Sequence, residues 1–138
     1  MSEANVRWVR EAAEAWSRGE TERLAAVLER HLSPDFELQP LYLDRVYKGF
    51  EGMQELWADI AQTWDDYRLE TRDVVDLGDH VLVLAHITGR GAGSGVPIDQ
   101  GLALLCAFEG DKAVWAKAFT SRRDAIEAAA VRTERPRP

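Results

Sequence analysis

Val81-Leu82-Val83-Leu84-Ala85-His86-Ile87 is apolar at every position but one, and it is too short and too rich in β-branched and aliphatic residues to be anything but a buried strand. Working outward, Gly78-Asp79 precedes it, and a second apolar run follows Ser94-Gly95-Val96-Pro97. Gly110-Asp111 then opens a third. The β-rich runs fall at 67–77, 81–92, 98–109 and 112–120. Short turns between neighbours make them antiparallel hairpins, so the four runs predict a meander. Alternation turns Val81, Val83, Ala85 and Ile87 inward and leaves His86 and Arg90 outside. On the next run Gln100, Leu102, Leu104, Cys106 and Phe108 share the inner face, and Asp99 faces out.

Upstream the period changes from two to 3.6. Val6, Val9, Ala13 and Trp16 mark one helix, which Gly19 ends. Leu24, Val27, Leu28, His31 and Leu32 mark a second, stopped by Ser33-Pro34. Asp35 to Gln39 alternates as a short strand, and residues 44–48 offer another. Met53, Leu56, Trp57, Ile60, Ala61 and Trp64 mark a third helix. A last helix is expected near 122–130, with Ser121 as its N-cap. Helices segregated from an antiparallel sheet give an α+β domain. A long sheet curved around the helices, helped to bend by Gly89, Gly91, Gly93 and Gly95, leaves a cone with an apolar interior.

The 138 residues, 46% of them hydrophobic, suit a single domain at 1–131. Residues 132–138, with Arg132, Arg135, Arg137 and two prolines, read as a disordered tail. A net charge of −7 argues against nucleic acid as a partner. No apolar stretch approaches the ~20 residues of a membrane span, and Met1 to Asn5 lack a signal-peptide core, so the expected location is cytoplasmic. The lone Cys106 excludes an internal disulfide. His31, His80 and His86 are dispersed, so no metal site is expected. His31 reads as a structural histidine at a helix end and His80 as a solvated turn residue. Asp65-Asp66 also read as a solvated turn.

His31-Leu32-Ser33-Pro34-Asp35, Tyr47-Lys48-Gly49-Phe50-Glu51-Gly52, Trp64 to Glu70, Asp76 to Val81, Gly89 to Gly95 and Ala125 to Ala129 follow one another in an order and spacing that mark a family. In these segments the chain resembles SnoaL-like proteins of the nuclear transport factor 2 superfamily. The resemblance implies a cone-shaped barrel, a curved antiparallel sheet wrapped around N-terminal helices. It also implies a ligand pocket at the wide end and a homodimer through the outer sheet face. Members include polyketide cyclases, ketosteroid isomerases, limonene epoxide hydrolases, dehydratases and proteins without chemistry, so the fold alone does not assign an activity.

Position by position, the catalytic groups of those enzymes look replaced. Gln39 stands where the isomerase base would be, and an amide takes no proton at neutral pH. Ala12 and Leu102 or Leu104 stand where its oxyanion donors would be. Ala85, Ile87 and Ala118 replace the Arg and Asp residues of the epoxide hydrolases, and Phe36 and Leu38 replace their Tyr and Asn. Asp99 is the candidate acid–base residue for cyclase-type chemistry. The expected ligand-binding set is Phe36, Leu38, Gln39, Tyr42, Tyr47, Trp57, Ala85, Ile87, Gln100, Leu102, Leu104 and Ala118. Tyr42 and Tyr47 would offer hydroxyls at the mouth, and Trp57 would be core on one side and pocket wall on the other.

Three readings follow. The first is a small-molecule-binding protein with an apolar pocket, an apolar ligand and no cofactor. The second is an isomerase, cyclase or dehydratase acting on an apolar cyclic or polyketide-like substrate, with Asp99, Tyr42, Tyr47 or Gln39 supplying the chemistry. The third is a ligand-free association module whose own side chains, Trp57 and Trp64 among them, plug the interior.

Overall fold

Gly78 and Gly110 take left-handed backbone angles, φ 94° and 59°, and each closes a tight turn between long strands. The computed structural model describes residues 3–134. Helices α1 (Glu3–Ser17) and α2 (Thr21–His31) lead into strands β1 (Leu32–Gln39) and β2 (Tyr47–Lys48). Helix α3 (Gly49–Thr63) precedes the meander of β3 (Trp64–Asp76), β4 (His80–Gly91), β5 (Pro97–Glu109) and β6 (Lys112–Phe119). Helix α4 (Arg122–Glu134) closes the described chain.

The strands form one six-stranded sheet in the order β2-β1-β6-β5-β4-β3. It is curved and unclosed, with β2 and β3 as its edges. The meander is antiparallel throughout, whereas β1 lies parallel to β6. Strand β1 begins at Leu32, earlier than the expected 35. Pro34 does not prevent this, because it falls in the register gap between Leu32 and Glu37, where its missing N–H leaves no ladder bond unmade. No helix among the described residues is long and apolar enough to cross a membrane.

Both faces of the sheet are covered. Val81, Val83, Cys106, Ala113 and Ala116 pack against Trp8, Val9, Leu24, Leu28, Met53 and Leu56 of α1–α3. Leu82, Ala103 and Leu105 pack under Ala125 and Ala129 of α4. Burial on both sides is why β4 reads as a near-continuous apolar run. Each fully enclosed leucine contributes about 1.5–3 kcal/mol of transfer free energy. Helix α4 starts as expected, the Asp124 N–H donating to Ser121 Oγ at 3.1 Å. It continues through Arg132, whose guanidinium lies 4.0 Å from the Trp115 ring centroid. The helix thus enters the stretch expected as a tail, and residues 135–138 lie outside the described part. It also covers a portion of the outer sheet face that the resemblance gave as a dimer surface.

Polar anchoring as well as ring stacking ties α1 to the turn between β5 and β6 and to the end of α2. Asn5 Nδ2 donates to the Gly110 carbonyl at 2.8 Å, and Asn5 Oδ1 accepts from Trp8 Nε1 at 3.3 Å. The Trp8 indole stacks on His31 at 4.7 Å between ring centroids, with 4° between planes. Two expectations are corrected here. His80 is buried rather than solvated, opening β4 with Nδ1 2.8 Å from Asp79 Oδ1. Trp64 ends the α3 apolar stripe but belongs to β3: its N–H still bonds the Ile60 carbonyl while its own angles, φ −129° and ψ 139°, are extended.

Candidate functional site

Alternation on four strands and the apolar stripes of three helices converge on one cavity of about 150 Å³. Phe36 and Leu38 of β1, Val83, Ala85 and Ile87 of β4, Leu102, Leu104 and Cys106 of β5, and Ala116 and Ala118 of β6 form its sheet wall. Trp8, Ala12 and Trp16 of α1, Leu24 and Leu28 of α2, and Met53, Leu56 and Ile60 of α3 form its helical wall. The lining holds no Asp, Glu, His, Lys or Arg among the described residues. Small side chains make the space: Ala85, Ala113, Ala116 and Ala118 lie where larger residues would fill it. A void of this size and lining stays dry and admits a benzene-sized guest.

The segment Pro40-Leu41-Tyr42-Leu43 crosses the cavity and lines it. Tyr42 is held at φ 65°, an uncommon conformation for a residue with a Cβ. Its hydroxyl donates to Gln100 Oε1 at 3.2 Å, and its ring meets the edge of Trp64 at 6.0 Å. The segment is pinned at its far end by Arg45, which bonds Asp59 Oδ2 at 3.1 Å and also pairs with Glu55. Tyr47 OH donates to the same Asp59 oxygen at 2.5 Å. Burial, then the bond to Asp59 and its charge, push the Tyr47 hydroxyl up to about 12. Tyr47 therefore serves the anchoring of this segment to α3.

Next to Trp64, β3 carries a bulge. Asp65 pairs with Arg90 and Arg68 with Thr88, so Asp66 and Tyr67 together face the single residue Gly89. Asp66 is left-handed, at φ 54°. Gly89 makes room: a Cβ there would come within 3.3 Å of the Asp65 carbonyl oxygen and of Tyr67 Cα. The bulge lets Trp64 and Tyr67, three residues apart, both line the cavity with Leu69, which strict alternation forbids. Burial alone raises the Tyr67 hydroxyl to about 12. It likewise raises the Cys106 thiol to about 12, so the thiol stays protonated.

Of the expected ligand-binding set, Phe36, Leu38, Tyr42, Ala85, Ile87, Leu102, Leu104 and Ala118 border the cavity. Gln39, Tyr47, Trp57 and Gln100 are not among its lining residues. Gln39 ends β1, half-buried. Trp57 meets Phe50 edge-on at 6.4 Å, and its buried Nε1 has no partner. Gln100 touches the site through Tyr42. Asp99 is exposed, pairing with His86 Nε2 across β4 and β5 on the outer face. The four groups named for acid–base chemistry thus do not meet: Tyr42 alone borders the cavity. Sequence reasoning missed Tyr67. The signal was present in Tyr67-Arg68-Leu69-Glu70, which alternates apolar and charged residues, but it was masked by taking Asp65-Asp66 as a turn.

The family model of the SnoaL-like domain matches residues 9–116, from α1 into β6. No curated protein matches the sequence. Among solved structures, a nuclear transport factor 2-like protein from Burkholderia thailandensis aligns with a TM-score of 0.73 at 17% identity, covering 96% of this chain and 98% of its own. A nuclear transport factor 2-like protein of unknown function from Burkholderia pseudomallei aligns at 0.69 and 19%, covering 92% and 97%. A candidate SnoaL-like polyketide cyclase from Jannaschia sp. CCS1 aligns at 0.67 and 19%, covering 96% and 94%. At these identities the likeness is one of fold.

Proposed function

The chain belongs to the SnoaL-like domain family, and on that premise we propose that it is a small-molecule-binding protein that holds an apolar ligand in the cavity beneath α1–α3. The observation that carries this reading is the lining itself. About 150 Å³ of space is bounded by aliphatic and aromatic side chains, with no ionisable carboxylate, imidazole, amine or guanidinium among the described residues around it. Removing an apolar guest from water is favourable in proportion to the area buried. A charged guest would forfeit hydration with no opposite charge to replace it. The same lining supports binding without acid–base chemistry, since burial raises the Tyr67 hydroxyl and the Cys106 thiol that border it to about 12, far from the range that suits a general acid or base at neutral pH.

Titration with α-methylstyrene, followed by the methyl resonances of Val83 and Ile87, tests the reading. Saturable shifts at submillimolar concentration are expected. Ala85→Leu, which fills the cavity from its sheet wall, should weaken binding at least tenfold while the fold persists, because the added methyls enter existing space. Wild-type protein that shows no saturable shift with this guest would overturn the proposal. Native mass spectrometry of freshly purified protein, with denaturing release, would then identify any ligand retained from the cell.

A further inference from the structure

The Tyr67 hydroxyl differs from the other phenols of the chain. Tyr42 donates to Gln100 and Tyr47 to Asp59, whereas the Tyr67 hydroxyl has no hydrogen-bond partner among the described residues, although its ring lines the cavity. No charge or hydrogen bond offsets its burial. Tyr67 is half-buried and its hydroxyl is not fully enclosed, so its proton remains available to an acceptor that enters the cavity.

The backbone around Tyr67 is built at a cost to place it there. Asp66, immediately before it, and Tyr42, whose ring meets Trp64, are the two non-glycine residues with positive φ among the described residues. Left-handed angles at non-glycine residues gather at functional sites. Asp66 and Tyr67 form the bulge, and Gly89 supplies the close approach that the bulge requires. Without the extra residue, Tyr67 would point to the opposite face from Trp64.

We infer that Tyr67 is the polar anchor of the cavity, donating a hydrogen bond to the carbonyl-type oxygen of an otherwise apolar, uncharged ligand. This rests on the binding reading above and adds the ligand's chemical class: a neutral ketone, quinone or ester rather than a hydrocarbon, an acid or an amine. Among the described residues, the cavity lining holds no cation to meet a carboxylate and no carboxylate to meet an ammonium. A hydrogen bond from Tyr67 within a largely apolar lining would select for an acceptor on an apolar body, because a few polar groups in such a pocket fix orientation. Tyr42 complements this arrangement, since its own proton is already engaged by Gln100.

The test uses a matched pair of guests, acetophenone and α-methylstyrene, which differ by C=O against C=CH₂ at the same position. Wild-type protein should bind the ketone more tightly relative to the alkene than a hydrocarbon solvent would partition it. Tyr67→Phe should weaken acetophenone about five- to tenfold, the effect of one neutral hydrogen bond, and leave α-methylstyrene within twofold. On wild-type protein alone, the carbonyl stretch of bound ¹³C-labelled acetophenone should lie below its value in hexane. That readout is independent of whether the variant folds. If both guests bind, Tyr67→Phe changes neither, and the stretch equals the hexane value, the anchor is overturned while the cavity reading stands. If α-methylstyrene fails to bind wild-type protein, the cavity reading falls and takes the anchor with it.

Discussion

On β4, Leu82 is wholly enclosed, while Val83, the next residue, borders a cavity. On β5 the same contrast separates Leu105 from Leu104. The two faces draw on the same kinds of residue but differ in what lies across from them. On the outer face, Ala103 of the sheet meets Ala125 and Ala129 of α4, and small residues on both sides let the helix come close enough to leave no gap. On the inner face, Ala85, Ala113, Ala116 and Ala118 look toward helices bearing Trp8, Trp16, Met53 and Leu56. There the large side chains hold the helices away from the sheet, and the alanines leave open the space between. One face therefore contributes density and the other contributes volume, with a single sheet serving both.

The strongest way to break this comparison is to delete equal volume from each side. Leu105→Ala removes a fully enclosed side chain and should destabilise the protein by about 3–4 kcal/mol. Leu102→Ala removes a half-buried side chain from the cavity wall and should cost about 1 kcal/mol, since it already lacks neighbours on one side. Urea unfolding of both variants measures the difference. Equal losses would mean that the inner face is as tightly packed as the outer.

This contrast was legible only in part before the structure. The turn residues at Gly78-Asp79 and Gly110-Asp111 and the alternation through Val81, Val83, Ala85 and Ile87 placed the meander and its inner face. Alternation likewise put Asp99 outside. The boundaries that went astray are places where one local rule handed over to another. Trp64 keeps a helical hydrogen bond to Ile60 while its torsions are already extended, so its spacing continues the helix stripe although its backbone does not. Asp65-Asp66 carry the composition of a turn, yet they lie in a strand and build its bulge. His80 follows a turn signal but starts a buried strand, where it pairs with Ala107 of β5, far away in sequence. The cavity depends on how far helices stand from the sheet, and no single segment encodes that distance. Tyr47 and Trp57 belong to elements around the mouth, but their side chains are committed to Asp59 and Phe50.

A smaller effect separates the faces by pH. The inner face contains the Cys106 thiol, which burial raises from an ordinary 9.0 to about 12. Its protonated form is favoured by the fold, so its contribution is fully present below pH 9 and is lost as pH rises toward 12. Above pH 9 the unfolded chain binds fewer protons than the folded one, and stability falls by up to about 1.4 kcal/mol per pH unit from this group. Between pH 9 and 10, before the ordinary tyrosine range, the expected loss is about 1 kcal/mol. Cys106→Ala should remove that share in urea titrations at pH 8, 9 and 10, leaving the smaller loss from Tyr47 and Tyr67, whose hydroxyls burial also raises. An unchanged slope would mean that the thiol ionises freely in the folded protein and that the inner face admits water.

The smallest expected effect belongs to the outer face. Asp99 is the one carboxylate offered for cyclase-type chemistry, and its pairing with His86 places it across the sheet from the cavity. The Asp99 side chain is 76% exposed, so water screens the pair, and such pairs contribute about 0–1 kcal/mol. Asp99→Asn keeps the shape and removes the charge. It should change stability by less than about 0.5 kcal/mol and leave the affinity for acetophenone within twofold, read from the same methyl resonances. A tenfold loss of affinity would mean that β4 and β5 transmit charge from one face to the other, and the two faces could no longer be treated as separate regions. An unchanged affinity would leave the inner face, with Tyr67 at its mouth, as the region where ligand chemistry is decided.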